Sequence, residues 1–229
     1  MTKGSDAWDD IFGHRPCILD GGTVVGYLNP DDYSKYVSGS SAPITTLGKD
    51  VMVEFPVRGI KISTTNNVIS VSLTENPNDS SFTYYAHQRG TTKKNNFYLG
   101  AYDANLSSSK LYSQSGVTPV VNITLTNSIT YATNRGSGYD IMGYYQVVYL
   151  QCLYLLKYGN LNSQTAVGMG LVSASGKINN GTMNSKGMDW GETAGTSGMK
   201  IFGVENFWGN IYQWVGGIYG YSNTIRTTT

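Results

Sequence analysis

Apolar and polar residues alternate over several short stretches in the first half of the chain, which is the period of a β-strand with two different faces. Turn-forming residues separate these stretches. The pattern predicts strands at residues 17–19, 23–28, 51–57, 59–63, 68–73, 82–86 and 96–102. Because Thr65, Asn66 and Asn67 stand between two of these strands, we expect a hairpin there.

One longer stretch has the period of a helix instead. Its apolar stripe consists of Ile141, Tyr145, Val148, Cys152 and Leu155, and is widened by Met142, Tyr149, Leu153 and Leu156. The spacing predicts one main helix at about residues 140–158, with Asp140 as its N-cap and Gly159 as its stop. Since apolar groups cover much of the circumference, the helix should be buried on more than one side. Cys152 is then a core residue and not a nucleophile.

The remaining segments show weaker patterns. Residues 105–135 are irregular, with one β-like run at 117–123, residues 160–197 should form long loops, and residues 199–218 are apolar and aromatic. The predicted class is α+β, with short, mostly antiparallel strands, one main buried helix and long loops. We expect turn-rich strands at 1–50 that pack on or lead into a main domain at 51–229.

The composition is that of a weakly charged, tyrosine-rich protein. Of 229 residues only 14% are charged, the formal net charge is +1, and there are 18 tyrosines. Nucleic-acid binding is not expected, because it requires a basic surplus on one face. Tyrosine with serine, asparagine and glycine suits an adaptable binding surface. An ordinary β-protein with polar loops has the same composition, so both interpretations stay open.

The two cysteines, Cys17 and Cys152, are far apart and belong to no motif, so we expect buried, reduced thiols. The N-terminal residues contain no apolar core of a signal peptide. The longest apolar stretch, residues 141–156, is too short and too polar to span a membrane. These features indicate synthesis in a cytoplasm.

A motif near the C-terminus carries a resemblance to a known fold. Residues 202–215 contain Gly209-Asn210 followed by Trp214, and resemble the closing motif of the formylglycine-generating-enzyme branch of the C-type lectin fold. The resemblance implies that this run follows a loop and forms a central strand. Gly209-Asn210 permits a tight or left-handed turn before it, and we expect Trp208 and Trp214 to be core residues. Residues 211–215 alternate in a way that would give such a strand two distinct faces.

Further segments, in the same order along the chain, resemble a family of tail-associated phage and prophage proteins. They are residues 8–12, 20–27, 51–56, 98–104, 135–136, 150–155, 158–160, 162–164 and 204–212. The resemblance implies a C-type-lectin-like fold displayed on a virion tail or fibre. The phage major tropism determinant, a relative by fold, binds receptors through such a domain, and by analogy retroelement-driven diversification could vary its face. Family members usually continue beyond this motif, so the chain is expected to be a short or truncated member.

The implied function is non-catalytic recognition of a bacterial surface receptor, either saccharide or protein. Aromatic and amide side chains suit both ligands. The candidate binding residues are Trp190, Tyr212, Gln213, Tyr219, Tyr221 and Asn223. The alternative is a structural tail or baseplate component that binds other virion proteins. A homo-oligomer such as a trimer fits either function.

An enzymatic function is not expected. The cysteines do not match the cysteine pair of formylglycine-generating enzymes, and His14 and His87 are expected to be surface or loop residues. Asp189, Glu192 and Glu205 are the candidates for paired carboxylates in glycoside cleavage. Carboxylates near turns are more often caps or solvated charges.

No metal or other cofactor is expected, with calcium as the alternative. Asp31 with Asp32, and Asp189 with Glu192, could supply oxygen ligands to calcium. Neither pair has the spacing of an EF-hand.

Overall fold

The computed structural model describes residues 1–173, 175–222 and 224–229, and confirms the α+β class. In chain order the strands of these residues are β1 (Arg15–Asp20), β2 (Thr23–Asn29), β3 (Asp32–Tyr36), β4 (Lys49–Pro56), β5 (Gly59–Thr65), β6 (Val68–Thr74), β7 (Gln88–Arg89), β8 (Thr92–Lys93), β9 (Asn96–Gly100), β10 (Asn105–Ser107), β11 (Lys110–Tyr112), β12 (Lys200–Ile201), β13 (Val204–Glu205), β14 (Ile218–Tyr221) and β15 (Thr224–Thr227). The helices are α1 (Ala7–Phe12), α2 (Leu125–Thr133), α3 (Tyr144–Tyr158) and α4 (Ser163–Ala166), with a 3-10 turn at Tyr85–His87.

The largest sheet is antiparallel, with the strand order β3-β2-β1-β4-β9 in the described part of the chain. The predicted strands at 17–19, 23–28 and 51–57 are therefore confirmed. Gly21 and Gly22 join β1 to β2 with φ values of 56° and 84°, a left-handed turn that glycine adopts at little cost. Residues 1–50 supply β1, β2 and β3, and these share one sheet with β4 and β9.

The hairpin predicted around Asn66 and Asn67 is present as β5 and β6. Both asparagines have positive φ, 50° and 63°, which is the conformation of a type I′ turn. This turn twists in the same sense as the strands, so local sequence is sufficient to define it. Most of the hairpin is exposed.

The main helix, α3, ends where predicted but begins later. Gly159 is its left-handed C-cap, with φ of 56°. The predicted N-cap is wrong, because Gly143 and not Asp140 precedes the first helical residue. The Gly143 N–H donates to Gln146 Oε1 at 2.7 Å, whereas the Asp140 carboxylate accepts the N–H of the next residue.

Helix α3 packs on one face of the main sheet. The Tyr149 ring makes edge-on contacts with Phe55 of β4 and Phe97 of β9, at centroid distances of 6.3 and 5.6 Å. Cys152 is buried in the same core, which confirms its predicted role. Cys17 is also buried, and both thiols are free.

The C-terminal motif folds differently from the expectation. Gly209 and Asn210 form the predicted turn, with φ values of 78° and 59°. Residues 211–215 that follow form no strand, so the predicted central strand is wrong. Trp208 packs against the core, but Trp214 is 50% exposed and is not a core residue.

Two further expectations fail in the middle of the chain. Residues 82–86 form an isolated bridge at Thr83 and a 3-10 turn in place of a strand. Residues 117–123 contain no strand, whereas α2 occupies part of the segment expected to be irregular. The Thr124 hydroxyl caps α2 by accepting the N–H of Asn127 at 3.2 Å.

Candidate binding cleft

A cleft of about 790 Å³ lies beside β9. One wall is β9, and the others come from residues around 135–146 and 204–214. Its volume is in the range of ligand pockets. The cleft thus brings together residues from the middle and the end of the chain.

Asp103, shortly after β9, anchors one wall of the cleft. Its carboxylate is 6% exposed and accepts hydrogen bonds from Asn210 Nδ2 at 2.9 Å and Gln213 Nε2 at 3.0 Å. Burial raises the pKa of Asp103 to about 6, although the amide hydrogen bonds act in the opposite direction. The carboxylate therefore holds the 206–214 segment against the end of β9.

Gln213 decides which side chains of this segment face outward. Its Nε2 also donates to the carbonyl oxygen of Asn206 at 2.8 Å, so its amide end points into the protein. Its neighbours Tyr212 and Trp214 lie at the surface, and Tyr212 is fully exposed. Side chains of this segment thus alternate between inward and outward positions, as the sequence predicted. Hydrogen bonds made by the side chains of Gln213 and Trp214 hold this alternation, whereas a strand would hold it through backbone pairing.

Trp214 is held in a defined position although half of its surface is exposed. Its Nε1 donates to the carbonyl oxygen of Ile123 at 2.8 Å. The polar atom of the indole is therefore satisfied by the protein, and the ring remains available for stacking. An exposed aromatic ring that is fixed before binding loses little entropy when a ligand stacks on it.

A buried ion pair closes another part of the cleft wall. Arg135 pairs with Asp50, whose carboxylate also accepts the Ser113 N–H at 3.1 Å. The Arg135 guanidinium lies 4.0 Å from the centroid of the Tyr112 ring and 5.3 Å from that of Tyr139. Burial raises the pKa of Asp50 against the opposing effect of Arg135. The charges of Arg135 and Asp50 therefore compensate each other within the wall.

The predicted binding residues fall into three groups. Tyr212 and Gln213 line the cleft. Trp190 lies elsewhere, since its backbone pairs with Lys200 and its ring lies 4.9 Å from Lys186 Nζ.

Tyr219 and Tyr221 are exposed on the β14–β15 hairpin, while Asn223 lies outside the described residues. Tyr145 of α3 and Thr227 of β15 share a 2.7 Å hydrogen bond between their hydroxyl groups, which ties this hairpin to the helix. The binding residues predicted from the sequence therefore include two residues of the cleft, Tyr212 and Gln213, and two residues of a separate exposed hairpin, Tyr219 and Tyr221.

Asp103, Asn210 and Trp214 were missed as site residues. Asp103 carries no local signal, because its role depends on distant segments that bury it. Asn210 was predicted only as a turn residue. The amide in this turn donates from Nδ2 to Asp103 and accepts the Ile178 N–H at 3.0 Å through Oδ1, so it connects three segments.

The cysteines considered for catalysis are core residues with suppressed ionisation. Burial raises the pKa of Cys17 to about 12 and that of Cys152 to about 11. A thiolate is the reactive form, so neither environment activates its sulfur.

The histidines are both buried, which corrects their expected surface placement. His14 stacks on Phe55 at a centroid distance of 5.6 Å, and His87 lies 4.8 Å from Phe97. Burial lowers the pKa of each imidazole to about 4. They pack as neutral aromatic rings.

The three candidate carboxylates have separate partners. Asp189 accepts from Lys157 and Tyr158, Glu192 accepts from Ser197, and Glu205 is buried. Glu205 accepts backbone N–H groups from the 181–183 turn at 2.8 and 3.0 Å, and burial raises its pKa to about 7. Each carboxylate thus has a structural contact of its own.

Both acidic pairs considered for calcium contain a carboxylate that is engaged in other contacts. Asp32 accepts hydrogen bonds from Ser34, and Asp189 is paired with Lys157. Within the described residues, no group of three or more His, Cys, Asp and Glu side chains is arranged to hold a metal ion.

Comparison with protein-family models and with curated proteins gives no match to this chain. Among the described residues, none of the helices has the length and apolar character needed to cross a membrane.

Proposed function

We propose that this chain is a non-catalytic binding domain of a phage tail or fibre protein, and that it recognises a receptor on the bacterial surface. The proposal includes a C-type-lectin-like arrangement of the α+β fold, and a place in the virion after synthesis in the host cytoplasm. The ordered resemblance along the chain supports the class of protein. Because residues 211–215 form no central strand, the C-terminal motif no longer supports the proposed fold. The functional proposal therefore rests on the cleft.

The exposed, fixed ring of Trp214 beside Tyr212 is the observation that carries this proposal. Tyr212 has no packing role, because its side chain is fully exposed. Exposed aromatic rings beside a cleft bind ligands by stacking, while amides and carboxylates in the cleft supply hydrogen bonds. The surface therefore suits a receptor that presents both apolar faces and hydrogen-bonding groups.

The test is adsorption of the purified chain to bacterial cells. We expect Tyr212→Ala and Trp214→Ala to reduce cell labelling, and Tyr212→Ala to leave the melting temperature unchanged. Val37→Ala is a matched control, because Val37 is also highly exposed but lies apart from the cleft and from the surface around Tyr212. If both variants label cells as strongly as the wild type, Tyr212 and Trp214 do not belong to the receptor-binding surface.

A structural role in the tail is the second candidate, and the C-terminal hairpin favours it. Ile218, Tyr219, Tyr221 and Ile225 are all exposed there, with Ile225 77% exposed. Neighbouring exposed apolar groups mark protein contacts, either with another virion protein or with a second copy, as in a trimer.

The two candidates differ in what the hairpin does. If Tyr219→Ala with Tyr221→Ala reduces adsorption without lowering the melting temperature, the hairpin belongs to the receptor surface. If the chain labels no host cells but co-purifies with tail proteins through this hairpin, the structural role is correct.

A further inference from the structure

Among the residues that the structure describes, strand β9 is paired along only one of its edges. On the paired side it forms a ladder with β4, in which Phe97 lies opposite Phe55 and Leu99 opposite Val53. The Ala101 N–H continues this ladder by donating to the carbonyl oxygen of Val51 at 2.9 Å. Since hydrogen-bonding groups alternate in direction along an antiparallel strand, the backbone groups of residues 96, 98 and 100 point away from β4.

These outward groups have no protein partner in the described part of the chain. The main-chain N–H and C=O groups of Tyr98 and Gly100 take part in no backbone hydrogen bond, because the bonds to β4 are made by the residues that alternate with them. An unpaired strand edge is a template for another strand. Edges of this kind are usually covered or interrupted by charge, proline or a bulge.

The unpaired edge borders the cleft and not flat solvent. All of β9, Asn96–Gly100, lines the cavity of about 790 Å³. Val204, Phe207 and Ile211 are among the residues that line the rest of it. A strand placed beside β9 would therefore satisfy its backbone groups and meet apolar side chains at the same time.

Charge at one end of the edge favours one direction for an added strand. Arg89 and Lys94 are exposed and line the cleft near Asn96. An antiparallel strand would place its C-terminal carboxylate near these two cations. A parallel strand would place its N-terminal ammonium group there instead.

We propose that the ligand of this cleft is an extended polypeptide segment that pairs antiparallel with the free edge of β9, as a sixth strand of the main sheet. The inference rests on the proposed binding function and specifies the class of receptor as polypeptide. Main-chain hydrogen bonds provide the affinity in this mode, and alternate side chains provide the specificity.

The chain's own 211–215 segment lies along the same cleft but is held away from this pairing. Gln213 donates to Asp103 and to the carbonyl oxygen of Asn206, and Trp214 donates to the carbonyl oxygen of Ile123. Pairing of this segment with β9 would have to break these side-chain hydrogen bonds. This intramolecular alternative is an outcome that the experiment distinguishes.

The experiment uses the full chain and a short peptide of alternating valine and threonine with free termini. We expect saturable binding by calorimetry, and slower hydrogen exchange at the amides of Tyr98 and Gly100 when the peptide is bound. Tyr98→Pro removes one outward N–H and should weaken binding by about tenfold or more. Tyr98→Phe is the matched control, because it loses only the hydroxyl that donates to Glu54 at 2.9 Å.

Capping the peptide termini should weaken binding if the end charges set the direction, and a peptide with alternate prolines should not bind. If Tyr98→Pro does not fold, hydrogen exchange at the Tyr98 and Gly100 amides of the wild-type chain still tests the proposal. Protection of both amides in the free chain would show that its own segment already covers the edge, and would overturn the proposal. Absence of peptide binding would also overturn it.

The result separates this inference from the receptor function. If cell labelling depends on Tyr212 and Trp214 but no peptide binds, strand addition is wrong and receptor binding is retained. If the peptide binds and no cells are labelled, the edge is a peptide site and the receptor function is wrong.

Discussion

Lys157 Nζ lies 2.6 Å from Asp189 Oδ2 and 2.8 Å from Asp9 Oδ1, although the lysine side chain is completely buried. The cluster joins α3 to α1 and to the loop that follows α4. Burial raises the pKa of Asp9 to about 6, while the hydrogen bond from Lys157 acts to lower it. A single buried cation thus holds three distant segments together.

Lys157→Met should lower the free energy of unfolding by about 3–5 kcal/mol, because it leaves two carboxylates without their counter-charge. Chemical denaturation measures the change. Asp9→Asn added to this variant should restore part of the loss. The matched control is Lys49→Met, which breaks the exposed pair with Asp20 and should cost about 0–1 kcal/mol. Equal losses at the two lysines would contradict this expectation.

Asp103→Ala should loosen the 206–214 segment, because it removes the acceptor for two side-chain amides. We expect a loss of about 1–3 kcal/mol in the free energy of unfolding. Hydrogen exchange at Asn210, whose N–H donates to the carbonyl oxygen of Leu171 at 3.1 Å, should become faster. Asp10→Ala, at an exposed position of α1, is the control. An unchanged exchange rate at Asn210 would show that Asp103 does not anchor the segment.

His14 should make the fold sensitive to mild acid. Burial lowers its folded-state pKa from 6.5 to about 4, while nearby Asp189 acts to raise it and Lys157 to lower it. Its Nε2 lies 3.7 Å from Asp9 Oδ1. The unfolded chain therefore takes up a proton between pH 6.5 and 4 that the folded chain does not, so stability from this group is complete above pH 6.5 and decreases as the pH falls.

The variant His14→Phe isolates this effect, since His14 already packs as an aromatic ring. Between pH 6.5 and 4, wild type should lose about 3 kcal/mol relative to His14→Phe. Asp9, with its raised pKa, changes stability in the opposite direction over part of this range, but it is present in both proteins. Parallel pH profiles of unfolding free energy would contradict the assignment.

Gly203 should tolerate substitution less well than Gly39, although both have positive φ, 80° and 87°. A Cβ at Gly203 would meet Tyr33 Oη and would lie 2.8 Å from Met188 Cε, whereas a Cβ at Gly39 would meet nothing within 4 Å. Alanine at either position carries backbone strain of about 1–2 kcal/mol. Gly203→Ala should cost about 1–3 kcal/mol more, because it overpacks the core. Thermal unfolding of the two variants gives the comparison, and similar melting temperatures would refute it.

Elements with local causes could be predicted from the sequence. The Asn66-Asn67 turn, the end of α3 at Gly159 and the burial of Cys152 each follow from neighbouring residues and their spacing. The start of α3 could not be predicted in this way, because the backbone of Gly143 is paired with Gly216 from the end of the chain. The cleft was predicted only through Tyr212 and Gln213.

By itself, then, the sequence determined which stretches alternate, where several turns lie, and that the chain is rich in tyrosine and weakly charged. Tertiary structure alone decided that residues 211–215 form no strand, because a strand requires a partner edge and Gln213 instead bonds to Asp103. It also decided that Lys157 and Asp103 are buried, since the groups that compensate their charges come from segments far apart in the chain. Hydrogen bonds and burial between such distant residues leave no periodic signal in the sequence.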